Sequence, residues 1–338
     1  MKSEPIHELQ VARVVEETAE ARSFVLALPE SLATTFRYRA GQFLTFELEL
    51  EGRKLRRCYS MSSAPDIDQE IKFTVKRVAG GPASNWFNDQ VRAGTRLKVL
   101  APSGRFTLTE ASGPLLFFAG GSGITPIMSL IKTALRENRG PLRLLYANRD
   151  RAAIIFASEI EALAQRHPGR LELTHHLDEE SGLLGAETVK RVTTGAEQGH
   201  VYLCGPAPFM ALVEETLLGL GFPHERVFIE RFLSPVEEIE AAASSAHGRA
   251  SRMTVHIDGK SQVIEVMPDE TLLQATRRAG LDPPSACEEG ICGTCLARLR
   301  AGRATMRGNQ LLNDREIAEG LILTCQAVAE SESLEIAY

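Results

Sequence analysis

The chain has 338 residues, 43% of them hydrophobic and 24% charged, with a formal net charge of −6. That is an ordinary globular composition, long enough for two or three domains with separate cores. The charge argues against nucleic acid as a partner, because phosphate binding needs concentrated basic charge.

No apolar run approaches the roughly 18 residues of a membrane span. The opening Met-Lys-Ser-Glu-Pro-Ile-His-Glu lacks an apolar signal-peptide core. With four of six cysteines in one ligand pattern, a reducing cytoplasm is the expected location.

Residues 1–110 hold short alternating segments at 9–15, 23–28, 42–50, 55–60 and 71–78, separated by turn residues. This pattern predicts a small antiparallel β-barrel. Arg57-Cys58-Tyr59-Ser60 reads R-x-Y-S, and Gly80-Gly81-Pro82-Ala83-Ser84-Asn85 reads as a glycine turn opening a helix over 83–91. A helix N-terminus behind glycines offers N–H groups and a positive dipole end to phosphate. Arginine adds bidentate phosphate contacts, and tyrosine can lie against a flat ring. Singly, Tyr59 reads equally as a barrel-core aromatic and Gly80-Gly81 as a hairpin.

In this order and spacing the two motifs resemble the flavin domain of the ferredoxin–NADP reductase superfamily. The resemblance implies that Arg57, Tyr59, Ser60, Gly81, Ser84 and Asn85 meet the flavin. It implies that the strand containing Val75 and Lys76 lines the ring, with Ser60 at the reacting end. The G-x-x-S-N segment suits a pyrophosphate, which favours FAD, although some relatives bind FMN. Cys58 reads as a packed strand residue.

From 111 to 232 buried strands alternate with helices, with strands expected at 114–119, 142–147, 171–175 and 200–204. Helices are expected at 127–137, 157–166 and 208–218. Together they predict a parallel, doubly wound α/β sheet. Gly120-Gly121-Ser122-Gly123-Ile124-Thr125-Pro126 follows the first strand as a pyrophosphate cradle, although it departs from G-x-G-x-x-G. The loop resembles the NAD(P)H-binding loop of the same superfamily, placing Gly120, Gly121, Gly123, Thr125 and Pro126 on the dinucleotide. Tyr202-Leu203-Cys204-Gly205-Pro206 is similar to the family segment whose cysteine stands beside the nicotinamide. That makes Cys204 a catalytic candidate, with Gly205 and Pro206 as cofactor-binding residues. Asn148-Arg149-Asp150-Arg151 supports both ribose and 2′-phosphate recognition, with NADH expected over NADPH. His175-His176 reads as structural, since neighbours on a strand face opposite sides. Phe232 is either the aromatic that covers the flavin or a core residue.

Residues 233–250 are small, polar and acidic, a linker with a helical turn expected at 235–243. In 251–338 a hairpin is expected at 253–257 and 262–266, then a helix at 271–279. Cys287, Cys292 and Cys295 follow in C-x4-C-x2-C spacing, with Cys325 further on. This is the ligand spacing of a plant-type [2Fe–2S] cluster. A zinc site favours paired C-x2-C knuckles, and a disulfide framework needs an oxidising compartment. Gly290 and Gly293 allow the tight turns that aim backbone N–H groups at sulfur. The segment resembles plant-type ferredoxins, implying an α+β, β-grasp iron–sulfur domain. Residues 252–338 carry nine Lys/Arg against thirteen Asp/Glu, with Glu288 and Glu289 inside the loop. This suggests an acidic docking face.

The three modules in this order resemble the reductase components of multicomponent oxygenases. The resemblance implies an NAD(P)H-dependent oxidoreductase passing electrons through flavin and cluster to a separate acceptor protein, a terminal oxygenase. The alternatives are a hybrid-cluster protein reductase and a self-contained reductase of a small molecule.

Overall fold

Six antiparallel strands build the first sheet: β1 (Ile6–Thr18), β2 (Ala21–Ala27), β3 (Phe43–Leu50), β4 (Arg53–Ser60), β5 (Ile71–Lys76) and β6 (Arg96–Leu100). Their order is β4-β3-β6-β1-β2-β5. An antiparallel bridge between Met61 and Phe73 closes the end of β4 onto β5, giving the expected barrel. Strand alternation sends Ile71, Phe73 and Val75 of β5 inward. There Phe73 lies 4.5 Å from Phe46 and 5.3 Å from Phe24, ring centre to ring centre. Strand β6 is outside the expected set. Its five residues fill the gap between β1 and β3, a placement that only the closed barrel defines.

The computed structural model describes residues 5–110, 113–137, 140–232, 248–309, 311–312 and 314–338. The helical turn expected at 235–243 lies outside the described residues.

The second sheet is parallel, formed by β7 (Leu115–Gly120), β8 (Leu142–Asn148), β9 (Leu171–Leu177), β10 (His200–Gly205) and β11 (Val227–Arg231). All six residues of β7 are buried because helices cover both faces. Phe117 and Ala119 pack with Ile127 and Ile131 on one side, and Leu116 and Phe118 with Val189 and Val213 on the other. The order β11-β10-β7-β8-β9 reverses direction between β7 and β10. Their carboxyl ends, Gly120 and Gly205, therefore form the switch point where such sheets take ligands. The helix expected from 127 begins at Ile124, and Pro126 sits in its first turn, where a missing N–H costs little.

The third unit pairs β12 (Ser251–Ile257) with β13 (Lys260–Val266) as a hairpin. Strands β14 (Leu296–Ala301), β15 (Ala304–Met306), β16 (Leu321–Leu323), β17 (Ala327–Ala329) and β18 (Ser333–Ala337) complete it. β12 and β18 lie parallel in the five-stranded sheet β13-β12-β18-β14-β16, while β15 and β17 form a separate pair. The helix Leu272–Arg278 packs Leu272 and Ala275 into this sheet's core. A reciprocal cap fixes its start, with Gln274 N–H donating to Thr271 Oγ1 and Thr271 N–H donating to Gln274 Oε1. Among the described residues no helix is long and apolar enough to cross a membrane.

Candidate functional site

A pocket of about 930 Å³ opens where the three units meet. Of the expected residues, Arg57, Tyr59, Ser60, Lys76, Gly81, Ser84, Thr125 and Phe232 line it. Tyr59 also packs on Phe46 and Phe87, so its barrel-core and pocket readings both hold. Phe232 likewise lines the pocket while resting on the core beneath the parallel sheet.

Two expected flavin contacts turn elsewhere. Val75 is fully buried in the barrel core, and alternation gives the pocket its neighbours Thr74 and Lys76 instead. Asn85 bends back, donating to the Val78 carbonyl at 3.3 Å and accepting from Arg77 at 3.1 Å.

The pocket suits a flavin nucleotide on three counts. Ser60 Oγ is buried on its wall without a hydrogen-bond partner among the described residues, which a polar ring atom would supply. Gly81 opens the helix Pro82–Gln90 without a side-chain cap. A Cβ there would stand 2.6 Å from Ser84 Oγ, so the glycine keeps the phosphate cradle open.

At the switch point, Gly120, Gly123, Gly205 and Pro206 form a single packed layer. A Cβ on Gly123 would lie 2.1 Å from the Cys204 carbonyl oxygen, and one on Gly120 2.8 Å from Pro206. The loop can therefore descend onto the sheet, carrying Ser122 and Thr125 to the pocket rim. Cys204 is fully buried next to Glu230, its register partner on β11. Burial pushes the Cys204 thiol well up and, with the nearby Glu230, keeps it neutral. Burial also raises the Glu230 carboxyl to about 8. Glu230 lines the pocket but was missed from sequence; its signal was a carboxylate in the apolar segment Val227–Arg231.

The four cysteines of the third unit are buried together as two pairs. Cys292 N–H approaches Cys287 Sγ at 3.3 Å, and Cys295 and Cys325 pack together in a second buried cluster with Leu273 and Leu323. Among the described residues no three His, Cys, Asp or Glu side chains are placed around a single ion. Two thiol pairs suit a two-iron cluster, in which each iron takes two protein sulfurs. Glu289 N–H and Thr294 N–H point at Cys287 and Cys292 sulfur at 3.4 Å each. Gly290 and Gly293, at φ 75° and 74°, make the turns this requires.

Three sequence expectations meet the tertiary structure here. Glu288 and Glu289, expected on an acidic docking face, are about one-third exposed and engaged by arginines. Glu288 binds Arg56 at 3.0 Å and Arg277 at 2.8 Å, and Glu289 binds Arg57 at 3.4 Å, because the loop folds onto the barrel. Cys58 is a packed strand residue, as expected, but on the face turned toward the cluster domain. It packs with Phe43, Cys287 and Cys292 in the seam between barrel and cysteine loop, on the pocket edge. His175 and His176 stay apart, as expected. His175 is tilted against Tyr146, and His176 Nε2 lies 2.9 Å from the Gly182 carbonyl.

Comparison with known proteins agrees with this geometry. Residues 8–108 match the oxidoreductase FAD-binding domain, 117–215 the oxidoreductase NAD-binding domain, and 255–330 the 2Fe-2S iron-sulfur cluster binding domain. The chain is 41% identical to the 3-ketosteroid-9-alpha-monooxygenase ferredoxin reductase component of Mycobacterium tuberculosis, over 98% of this chain and 95% of that one. It is 31% identical to the glycine betaine monooxygenase reductase subunit of Pseudomonas aeruginosa, over 96% of this chain and 94% of that one. Among solved structures it resembles phthalate dioxygenase reductase, with a TM-score of 0.64, 25% identity and 98% coverage of both chains.

Proposed function

The chain belongs to the family of ferredoxin reductase components of oxygenases, and we propose how its own residues divide the work. It is an oxidoreductase that takes electrons from NAD(P)H through FAD and a [2Fe–2S] cluster to a terminal oxygenase. When bound, these groups supply the redox chemistry: the flavin accepts a hydride and releases electrons singly, and the cluster carries one electron at a time.

The protein's part is to bind, orient and exclude water. In the proposed assignment, Tyr59 and Ser60 hold the flavin ring, while Arg57 and the Gly81–Ser84 turn hold its phosphates. The loop from Gly120 to Pro126 seats the dinucleotide pyrophosphate. Protonated Glu230 walls the nicotinamide end, offering an uncharged surface to a ring that becomes cationic on oxidation, with neutral Cys204 buried beside it on the neighbouring strand. Cys287, Cys292, Cys295 and Cys325 hold the cluster. Asp150, ionised beside Arg149 at the end of β8, favours the ribose hydroxyls and hence NADH. The acceptor docks electrostatically on the cluster domain, through acidic residues other than the engaged Glu288 and Glu289.

One observation carries this reading. Ile291, next to the ligand candidate Cys292, lines the same pocket as Tyr59, Ser60 and Thr125. Replacing Cys292 with Ser should abolish the cluster's spectrum and the reduction of cytochrome c and the oxygenase. The variant should stay yellow and reduce ferricyanide at the parent rate. Loss of ferricyanide reduction with flavin still bound would place the cluster upstream of the flavin, contrary to this reading.

A further inference from the structure

We propose that Arg56 is a positioning residue for electron passage from flavin to cluster, holding the cysteine loop against the flavin pocket. The inference rests on the electron route proposed above and adds the side chain that sets its geometry.

Arg56 lies on β4, next to Arg57 on the pocket wall. Its side chain is about three-quarters buried, and Glu47 binds the guanidinium from below at 3.2 Å. On the other side it donates to the Ala286 carbonyl and to the Glu288 carboxylate, at 3.0 Å for the latter. A planar guanidinium makes these contacts in one fixed orientation, which a flexible ammonium does not reproduce.

What Arg56 grips is itself rigid. Glu288 stands at φ 61°, an uncommon conformation for a residue with a side chain. Gln326, next to Cys325, donates to the Glu288 carbonyl at 2.7 Å, and Arg277 binds its carboxylate from within the cluster domain. Glu288 thus connects both ends of the cysteine set to a barrel arginine. The loop held this way brings Ile291 to the pocket and packs Cys287 and Cys292 against Phe43 and Cys58. The supporting apolar contact is small, so the charged grip decides the loop's register on the barrel. The step it serves moves one electron and no atom: the flavin is oxidised by one electron as the cluster is reduced by one. A flavin charged by one hydride does this twice.

The test compares the holoprotein with Arg56→Ala and Arg56→Lys after rapid mixing with NADH, following flavin and cluster spectra separately. For Arg56→Ala, electron passage should slow about tenfold, the order expected from losing hydrogen bonds to charged groups. Flavin content, iron content and NADH-driven ferricyanide reduction should match the parent. Independently of turnover, amide hydrogen exchange across residues 285–290 should rise in the same variant. Arg56→Lys should recover part of both losses. Passage at the parent rate overturns the proposal, whether exchange rises or not. Slowed passage without raised exchange also overturns it, since Arg56 would then act by another route. If the parent's flavin never reduces its cluster, the electron route itself fails, an outcome separable from these by the parent alone.

Discussion

The barrel joins its two neighbours through seams of opposite character. Toward the nicotinamide domain the seam is deep. Lys132 is 6% exposed and bound to Asp68 at 3.0 Å and to Glu159, while Ser129 donates to the Ser63 carbonyl at 2.6 Å. Ala21 and Ala40 of the barrel side share one core with Met128 and Leu130. A Cβ on Gly41 would stand 3.0 Å from Leu130 Cδ2 across the seam, so the barrel backbone approaches the second domain closely there.

Toward the cluster domain the seam is a rim of arginines facing carboxylates, with Arg105–Glu316 at 3.5 Å joining the Arg56 and Arg57 pairs. Its apolar part is one small cluster, Phe43, Cys58 and Leu100 of the barrel against Ala286, Cys287, Ile291 and Cys292. The difference follows from what crosses each seam. Hydride transfer needs reacting atoms about 3–3.5 Å apart and is intolerant of misplacement. An electron crosses without atomic contact, and the seam it crosses is charged and of small apolar extent, like the more polar interfaces between domains of one chain.

The comparison breaks most visibly at Gly123. Alanine there would drive Cys204 and its loop apart, and NADH-driven flavin reduction should fall about a hundredfold, as an ångström-scale misplacement does. Stopped-flow at the flavin band measures this, with flavin content unchanged as the control.

The next effect is one of pH. The folded Glu230 carboxyl sits near 8, above its unfolded value of 4.5, because burial disfavours its charge. The associated stability is present in full below pH 4.5 and is lost as pH rises to 8. The flavin-free protein should therefore lose several kcal/mol over that range, at roughly 1.4 kcal/mol per unit. Glu230→Gln should flatten the profile in urea unfolding at a series of pH values.

A smaller loss tests the deep seam directly. Lys132→Met keeps the buried stem and removes the charge between Asp68 and Glu159. Both carboxylates are 33% exposed, so the cost should be about 2 kcal/mol, below the usual range for a broken buried pair. Urea unfolding checks it.

The mildest perturbation is salt. At about 1 M the screening length is roughly 3 Å, so the rim pairs should weaken and exchange at 285–290 rise severalfold. Exchange around Lys132 should not change. Equal responses in both regions would remove the distinction between the seams.

Most of the architecture could be read from the chain because it depends on local pattern. The run Leu115–Gly120 is apolar throughout since both its faces are covered, and glycines stand where the cluster loop turns through positive φ. Parity within a short strand was harder, and Val75 was assigned to the pocket when alternation sends Thr74 and Lys76 there. Asn85 belonged to the right motif, yet its side chain closes the turn on Val78.

By itself the sequence determined the cofactor chemistry, since cysteine spacing, glycine turns and strand–loop–helix units are set by residues near one another along the chain. Only the tertiary structure decided how those units meet. Arg56 and the Ala286 carbonyl are 230 positions apart, and no periodicity links them. The same distance hid the use of Glu288 and Glu289 inside the molecule, the place of Cys58 in a seam, and the arrival of Ile291 at the flavin pocket. Each depends on two surfaces closing on one another, and a charge that reads as solvated in the chain becomes a latch once its partner arrives from another domain.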